Sequence, residues 1–246
     1  MEEKNAIVTG AAKRLGAAIA KRLANLGWNI ALHYNNSYDE AEKVAKEIRN
    51  IGRKAFLVKA DLSVDSELNT IIEKANEGLG ELSLLINNAS AFNNDLIDNI
   101  TRESWNNHID TNLWAPLKLS QDFSRQLSYD KKGQIINMVD YCVLRMPNNF
   151  LSYSTSKAAL WSLTQSLGLQ LAPKIRVNAI GPGDTLKNPR EKQEHFDKAC
   201  ASTPLKHGSS PEEVCDTIEY FLKSKSVTGQ LITLDGGKHL LGGGFY

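Results

Sequence analysis

Short β-branched runs alternate with amphipathic helical stretches through almost the whole chain, and that rhythm limits the fold more than any other feature. Strand-like runs fall at Ala6–Thr9, Asn29–His33, Ala55–Lys59, Leu84–Asn87, Gln134–Val139, Arg176–Ile180 and Leu231–Leu234. Between the first two, Leu15, Ile19, Leu23 and Leu26 recur at helical spacing, and Gly27 marks a helix end. Ala41, Val44, Ala45 and Ile48 repeat the pattern before Gly52, and Leu68, Ile71, Ile72 and Ala75 form the next stripe. Such β-α alternation predicts an α/β fold: a Rossmann-like, doubly wound parallel sheet of seven strands with helices on both faces. Its ligand belongs beyond the carboxyl ends of the strands. With no linker, repeat or low-complexity tract, residues 1–246 read as one domain. The polar segment 184–211, with Pro189, Pro204 and Pro211, breaks the rhythm and reads as a substrate loop or lid, or as a solvated connection with one short helix. The tail Gly242-Gly243-Gly244-Phe245-Tyr246 reads as a docking or fraying end.

The first strand runs into Thr9-Gly10-Ala11-Ala12-Lys13-Arg14-Leu15-Gly16 and then a helix. Gly10 permits a tight turn, Gly16 lets the helix pack closely, and the helix N-terminus offers free N–H groups to a phosphate. In this strand-turn-helix context the spacing points to a dinucleotide, a purely structural turn being the alternative. The second strand ends in His33-Tyr34-Asn35-Asn36-Ser37, without the acid that would bind a ribose 2′-hydroxyl. With Arg14 and Ser37 nearby, that absence favours NADP(H) over NAD.

Tyr153-Ser154-Thr155-Ser156-Lys157 opens a helix that continues through Ala158, Leu160, Leu163 and Leu167. Tyrosine and lysine four apart share a helical face. An ammonium there is expected to lower the tyrosine pKa from about 10 and make a proton donor. An exposed helix pair is the alternative reading.

Thr9-Gly10-x3-Arg14-x-Gly16, Asn87-Asn88-Ala89, Tyr153-x3-Lys157 and Gly181-Pro182-Gly183 follow one another as in short-chain dehydrogenases/reductases, and the resemblance runs to Asp235-Gly236-Gly237. Arg14 in place of the usual middle glycine, Asp140 in place of the usual serine, and Ser90-Ala91-Phe92 after the Asn-Asn-Ala motif resemble the pteridine reductases. Asp140-Tyr141 and the ending from Val227 to Leu240 look closest to the bacterial dihydromonapterin reductases. The resemblance implies an NADPH-dependent reductase of pterins (dihydromonapterin, dihydrobiopterin or dihydrofolate). Asp140 and Tyr153 would share proton delivery, Lys157 would hold the nicotinamide ribose, and Asn112 would support a water relay to it. It implies cofactor contacts from Gly10, Lys13, Arg14, Leu15, Gly16, His33, Tyr34, Asn36, Ser37, Asp61, Leu62, Asn88, Ala89, Ser90, Tyr153, Lys157, Pro182, Gly183 and Thr185. Substrate contacts would come from Arg14, Ser90, Phe92, Asp140, Tyr153 and Gly183, with Phe92 stacking the pterin against the nicotinamide. Pteridine reductases usually carry an arginine where this chain has Asn36, which predicts a weaker preference for the 2′-phosphate.

A carboxylate at 140 would repel a developing oxyanion but suits a ring nitrogen that must gain a proton as hydride arrives next to it. The alternatives are a generic short-chain carbonyl or 3-oxoacyl reductase and a non-catalytic dinucleotide-binding module. A net charge of +1, from 29 basic and 28 acidic residues, gives no bias towards nucleic acid or membrane. No apolar run approaches the roughly 18 residues of a transmembrane helix, and MEEKN at the start does not read as a signal peptide. Cys142, Cys200 and Cys215 are far apart, so free thiols and a cytoplasmic setting are expected. His33, His195 and His207 lack metal spacing, and no metal is expected. Trp105, Trp114 and Trp161 read as core or interface residues. A homotetramer is expected from the resemblance.

Overall fold

The computed structural model describes residues 3–189 and 191–241. Strands β1 (Asn5–Val8), β2 (Asn29–Tyr34), β3 (Ala55–Lys59), β4 (Leu84–Asn87), β5 (Gly133–Met138), β6 (Ile175–Pro182) and β7 (Leu231–Leu234) form one sheet in the order β3-β2-β1-β4-β5-β6-β7. Every pairing is parallel. The strand positions agree with the sequence pattern to within a residue or two. β1 starts and stops one residue early, and β6 runs on through Pro182.

The connecting helices are α1 (Arg14–Asn25), α2 (Tyr38–Asn50), α3 (Asp65–Leu68), α4 (Ile71–Leu79), α5 (Arg102–Ile109), α6 (Ala115–Gln126), α7 (Leu151–Gln170), α8 (Gln193–Ser202) and α9 (Pro211–Lys223). The stripe from Leu68 to Ala75 is split into α3 and α4 at Asn69-Thr70, where the Thr70 hydroxyl donates to the Glu67 carbonyl. The 184–211 segment contains α8.

The two-residue period of each strand divides the core into layers. Ala6, Val8, Ile30, Leu32, Leu84 and Ile86 point to one face and meet Ile19 and Leu23 of α1, Val44 and Ile48 of α2, and Ile218 and Phe221 of α9. Ile7, Ala31, Leu85, Ile135 and Val177 point to the other and meet Ile71, Ile72 and Ala75 of α4, Leu119 and Phe123 of α6, and Leu167 of α7. The tryptophans are not core: Trp105 and Trp161 are half-buried, and Trp114 is 43% exposed with its Nε1–H donating to Asp65. The described helices include none long and apolar enough to cross a membrane.

The direction of crossover reverses between β1 and β4, which opens a crevice at their carboxyl ends. The turn after β1 fits there only because α1 starts with no side chain at Gly16. A Cβ at Gly16 would lie 2.1 Å from the Gly10 carbonyl oxygen and 2.6 Å from Asn88 Nδ2. Gly16→Ala is therefore expected to cost about 2–3 kcal/mol through overpacking. Thermal melting should register a drop of roughly 5–10 °C for a chain of this size.

Candidate active site

The phosphate-type turn is tied to the end of β4 by hydrogen bonds that leave its outer face free. The Thr9 hydroxyl oxygen accepts from the backbone N–H groups of Asn88 and Ala89, each at 2.9 Å. The Asn88 amide donates back to the Thr9 carbonyl at 2.8 Å. Lys13, at the start of α1, makes no side-chain cap, and the first turn of that helix holds no acid. The first N–H groups and the positive end of the helix dipole are thus available to an anion. His33 holds the turn from beneath: its Nδ1 accepts from the Gly10 N–H at 3.1 Å, and its Nε2–H donates to the Ala60 carbonyl at 3.1 Å. Burial pushes its pKa down to about 4, so the ring is neutral.

Arg14 occupies a left-handed backbone conformation (φ +53°) that suits glycine better than any other residue. Its guanidinium does not lie idle over the turn. It donates to the carbonyls of Lys187 (2.7 Å) and Leu186 (2.8 Å) and so joins the turn to the segment after β6. The cation that reaches towards the end of β2 is Lys13, whose Nζ lies 2.9 Å from Glu40 in the first turn of α2.

Beyond β5, the Asp140 carboxyl is held at both oxygens. Oδ1 accepts from the Cys142 N–H and Oδ2 from the Tyr153 hydroxyl, each at 2.8 Å. Lys157 is buried, and its Nζ donates to the Met138 carbonyl at 2.8 Å, 5.8 Å from the Tyr153 ring centre. Burial raises the Asp140 pKa against the hydrogen bonds from Cys142 and Tyr153. Burial, reinforced by the Asp140 charge, raises Tyr153 well above 10. Burial lowers Lys157 to about 8, with Asp140 opposing the fall. The expected downward shift of Tyr153 is thus reversed, first by burial and then by the carboxyl beside its hydroxyl. The arrangement holds protons: a carboxyl and a phenol both resist ionisation side by side.

Phe92 stands over this pair. Its ring stacks on Phe150 (centres 4.7 Å apart, planes at 17°) and meets the Tyr153 ring edge-on at 4.7 Å. Phe150 carries no sequence signal, and its φ of +60° at the start of α7 turns it into place. Asn112 is fully buried in a π-helical turn, Asp110–Trp114. Its amide is taken up by Ala91 and Ser156: Oδ1 accepts from the Ala91 N–H (2.8 Å), and Nδ2 donates to the Ala91 carbonyl (3.0 Å) and to Ser156 Oγ (3.0 Å). That side chain fixes the loop holding Ser90 and Phe92. A second buried network supports the same loop. The Ser152 hydroxyl donates to Asp95, and its oxygen accepts from His108 Nδ1–H at 2.6 Å. His108 Nε2 in turn accepts from the Asn93 N–H at 3.1 Å. Sequence reasoning missed His108, Ser152 and Asp95, whose positions share no spacing and meet only through the fold.

These groups surround a cavity of about 1010 Å³. Of the residues the sequence singles out, Gly10, Lys13, Arg14, Leu15, Gly16, Asn88, Ala89, Ser90, Phe92, Asp140, Tyr153, Lys157, Pro182, Gly183 and Thr185 line it. His33, Tyr34, Asn36, Ser37, Asp61 and Leu62 lie outside that lining. His33 and Tyr34 are buried beneath the turn, while Asn36 is exposed at the end of β2. Asp61 is bonded to Asn35 and Ser63. The tail 242–246 lies outside the described residues.

A family model described as short chain dehydrogenase matches residues 4–197. Among solved structures, the chain is similar to alternative dihydrofolate reductase 1 (FolM) from Brucella suis in complex with NADP. The TM-score is 0.94 at 39% identity, covering 96% of this chain and 95% of that one. The corresponding Brucella canis protein complexed with NADP matches at a TM-score of 0.91 and 38% identity, covering 96% of this chain and 94% of that one. Among curated relatives, the 3-oxoacyl acyl-carrier-protein reductase FabG of Staphylococcus epidermidis is 29% identical over 242 residues, 96% of this chain and 99% of its own length.

The Asp95–Ser152–His108 network carries a stability prediction. Ser152→Ala leaves a buried carboxylate short of one hydrogen bond and the His108 Nδ1–H without its acceptor. The expected loss is about 1–3 kcal/mol, read from urea unfolding midpoints.

Proposed function

The chain belongs to the short chain dehydrogenase family, and from that premise we propose that it is an NADPH-dependent reductase of the C=N bond of a dihydropterin. The observation that carries this reading is the Tyr153 hydroxyl bonded to Asp140 Oδ2, on a carboxyl whose pKa burial raises. NADPH, when bound, supplies the hydride. Everything else falls to the residues of the chain. Asp140, protonated in its buried setting, gives its proton to the ring nitrogen beside the carbon that receives hydride. Tyr153, which keeps its proton, holds the carboxyl in place through the 2.8 Å hydrogen bond, and the carboxylate left after transfer takes its next proton from water. Lys157, anchored on Met138, would hold the nicotinamide ribose. Phe92 offers the exposed part of its ring to a flat heterocycle, Phe150 already backing it.

The turn from Gly10 to Gly16 and the open N-terminus of α1 fit a pyrophosphate, and the two Brucella structures were solved with NADP. For the 2′-phosphate, Lys13 rather than Arg14 is the assigned cation: each is engaged, Arg14 by Leu186 and Lys187 and Lys13 by Glu40, but the Lys13 ammonium stands at the first turn of α2 and would exchange Glu40 for the phosphate. Those bonds support a reading of residues 1–246 as one domain in which the segment 184–211 closes the site. The second reading, a 3-oxoacyl or other carbonyl reductase, draws on the similarity to the Staphylococcus enzyme. A protonated Asp140 would also be able to donate to a carbonyl oxygen, so the substrate turned over separates the two readings.

Purified protein should oxidise NADPH with dihydrobiopterin or dihydrofolate and be poor with simple ketones; turnover of ketones alone would overturn the pterin reading. The active acid is the protonated Asp140. Its pKa is raised, so turnover should persist above the ordinary carboxylate range and fall as pH climbs through the raised value. Asp140→Asn should lower kcat by about 10²–10⁴-fold and remove that alkaline limb from the pH–kcat profile. Lys13→Ala should raise KM for NADPH about tenfold more than KM for NADH. Arg14→Ala should change both alike. Michaelis constants for the two cofactors decide between the two cations.

A further inference from the structure

The far wall of the cavity, away from the phosphate turn, is built by three side chains that the reaction does not use. Lys238 Nζ donates to Asp184 Oδ2 at 2.6 Å. The same ammonium lies 5.0 Å from the centre of the Tyr141 ring, next in sequence to Asp140. All three line the cavity. The two paired groups come from different strands. Asp184 follows β6, and Lys238 follows β7 after a sharp turn through Gly236 (φ +60°) and Gly237 (φ +82°). That turn is rigid. The buried Asp235 carboxylate accepts from the N–H groups of Gly237 (3.1 Å) and His239 (2.8 Å), and also pairs with His239 Nδ1 at 2.7 Å. From the other side, Arg145 Nη1 donates to the Lys238 carbonyl at 3.1 Å.

We propose that the Asp184–Lys238 pair selects the substituent on the substrate ring, accepting a short hydroxylated chain and turning away a tail that carries free carboxylates. The proposal rests on the pterin-reductase reading above. The pair shows a hydroxyl group both an acceptor and a donor, and it adds no net charge. A carboxylate-bearing tail meets an ammonium already neutralised by Asp184. An anion gains little there and loses hydration. A neutral polyol can exchange its water for the carboxylate and ammonium without a charge penalty.

The test is the ratio of kcat/KM for dihydrofolate, with its glutamate tail, to that for dihydrobiopterin, with its hydroxylated chain, using full-length protein and NADPH. The unmodified protein should favour dihydrobiopterin. Asp184→Asn frees the Lys238 charge and should raise the ratio about tenfold, an effect that high salt narrows. Lys238→Gln leaves the Asp184 carboxylate unopposed and should lower it by a similar factor. Opposite shifts from two near-isosteric changes cannot come from a general loosening of the fold, and melting temperatures of both variants check that each is folded. A ratio that stays fixed, or moves the same way in both variants, overturns the proposal while leaving the pterin reading intact. So does a dihydrofolate preference in the unmodified protein. Turnover of neither pterin by the unmodified protein overturns both.

Discussion

The site depends on how closely the first helix approaches the sheet. Gly16 lies against the Gly10 carbonyl with no room for even a methyl group. That contact brings the open end of α1 to the point where the sheet reverses direction. Thr9 then ties the turn to Asn88 and Ala89, so β1 and β4 end in one hydrogen-bonded unit. The loop bearing Ser90 and Phe92 starts from that unit. Its course is fixed by Asn112 from one side and by His108 through Asn93 from the other. A shift of the first helix would therefore reach the aromatic wall over Tyr153.

Burial then sets the electrostatics of the reacting end. Asp140, Tyr153 and Lys157 each lose hydration, and each is driven towards its neutral form for that reason first. For the carboxyl and the phenol, the neutral form is the one that holds a proton. An acid of this kind can give a proton to a nitrogen whose basicity rises as hydride arrives next to it.

The strands and their parallel direction were legible because a parallel sheet covered on both faces writes itself as alternating apolar runs, and each run here pairs with its neighbours. The glycine turn and Tyr153–Lys157 were legible because their chemistry fixes a local spacing. The pairing of Tyr153 with Asp140 was legible only through the family resemblance, since it spans two elements, and the sign of the tyrosine pKa shift was not, because it is set first by burial. Phe150, His108 and Ser152 were illegible for a similar reason: each acts by contact across loops, and no local period marks them. His33 was misplaced because position at a strand end does not reveal which way a ring points. Here it points inward, between Gly10 and Ala60.

Arg14 links these observations. A side chain at φ +53° costs about 1–2 kcal/mol relative to glycine. Two hydrogen bonds from a charged donor to backbone carbonyls, each worth about 1.5–3 kcal/mol, are enough to offset that cost. The strain is therefore offset where Leu186 and Lys187 are within reach, and the same two bonds join the glycine turn to the segment that carries Asp184, two residues before Leu186, to the cavity where Lys238 meets it.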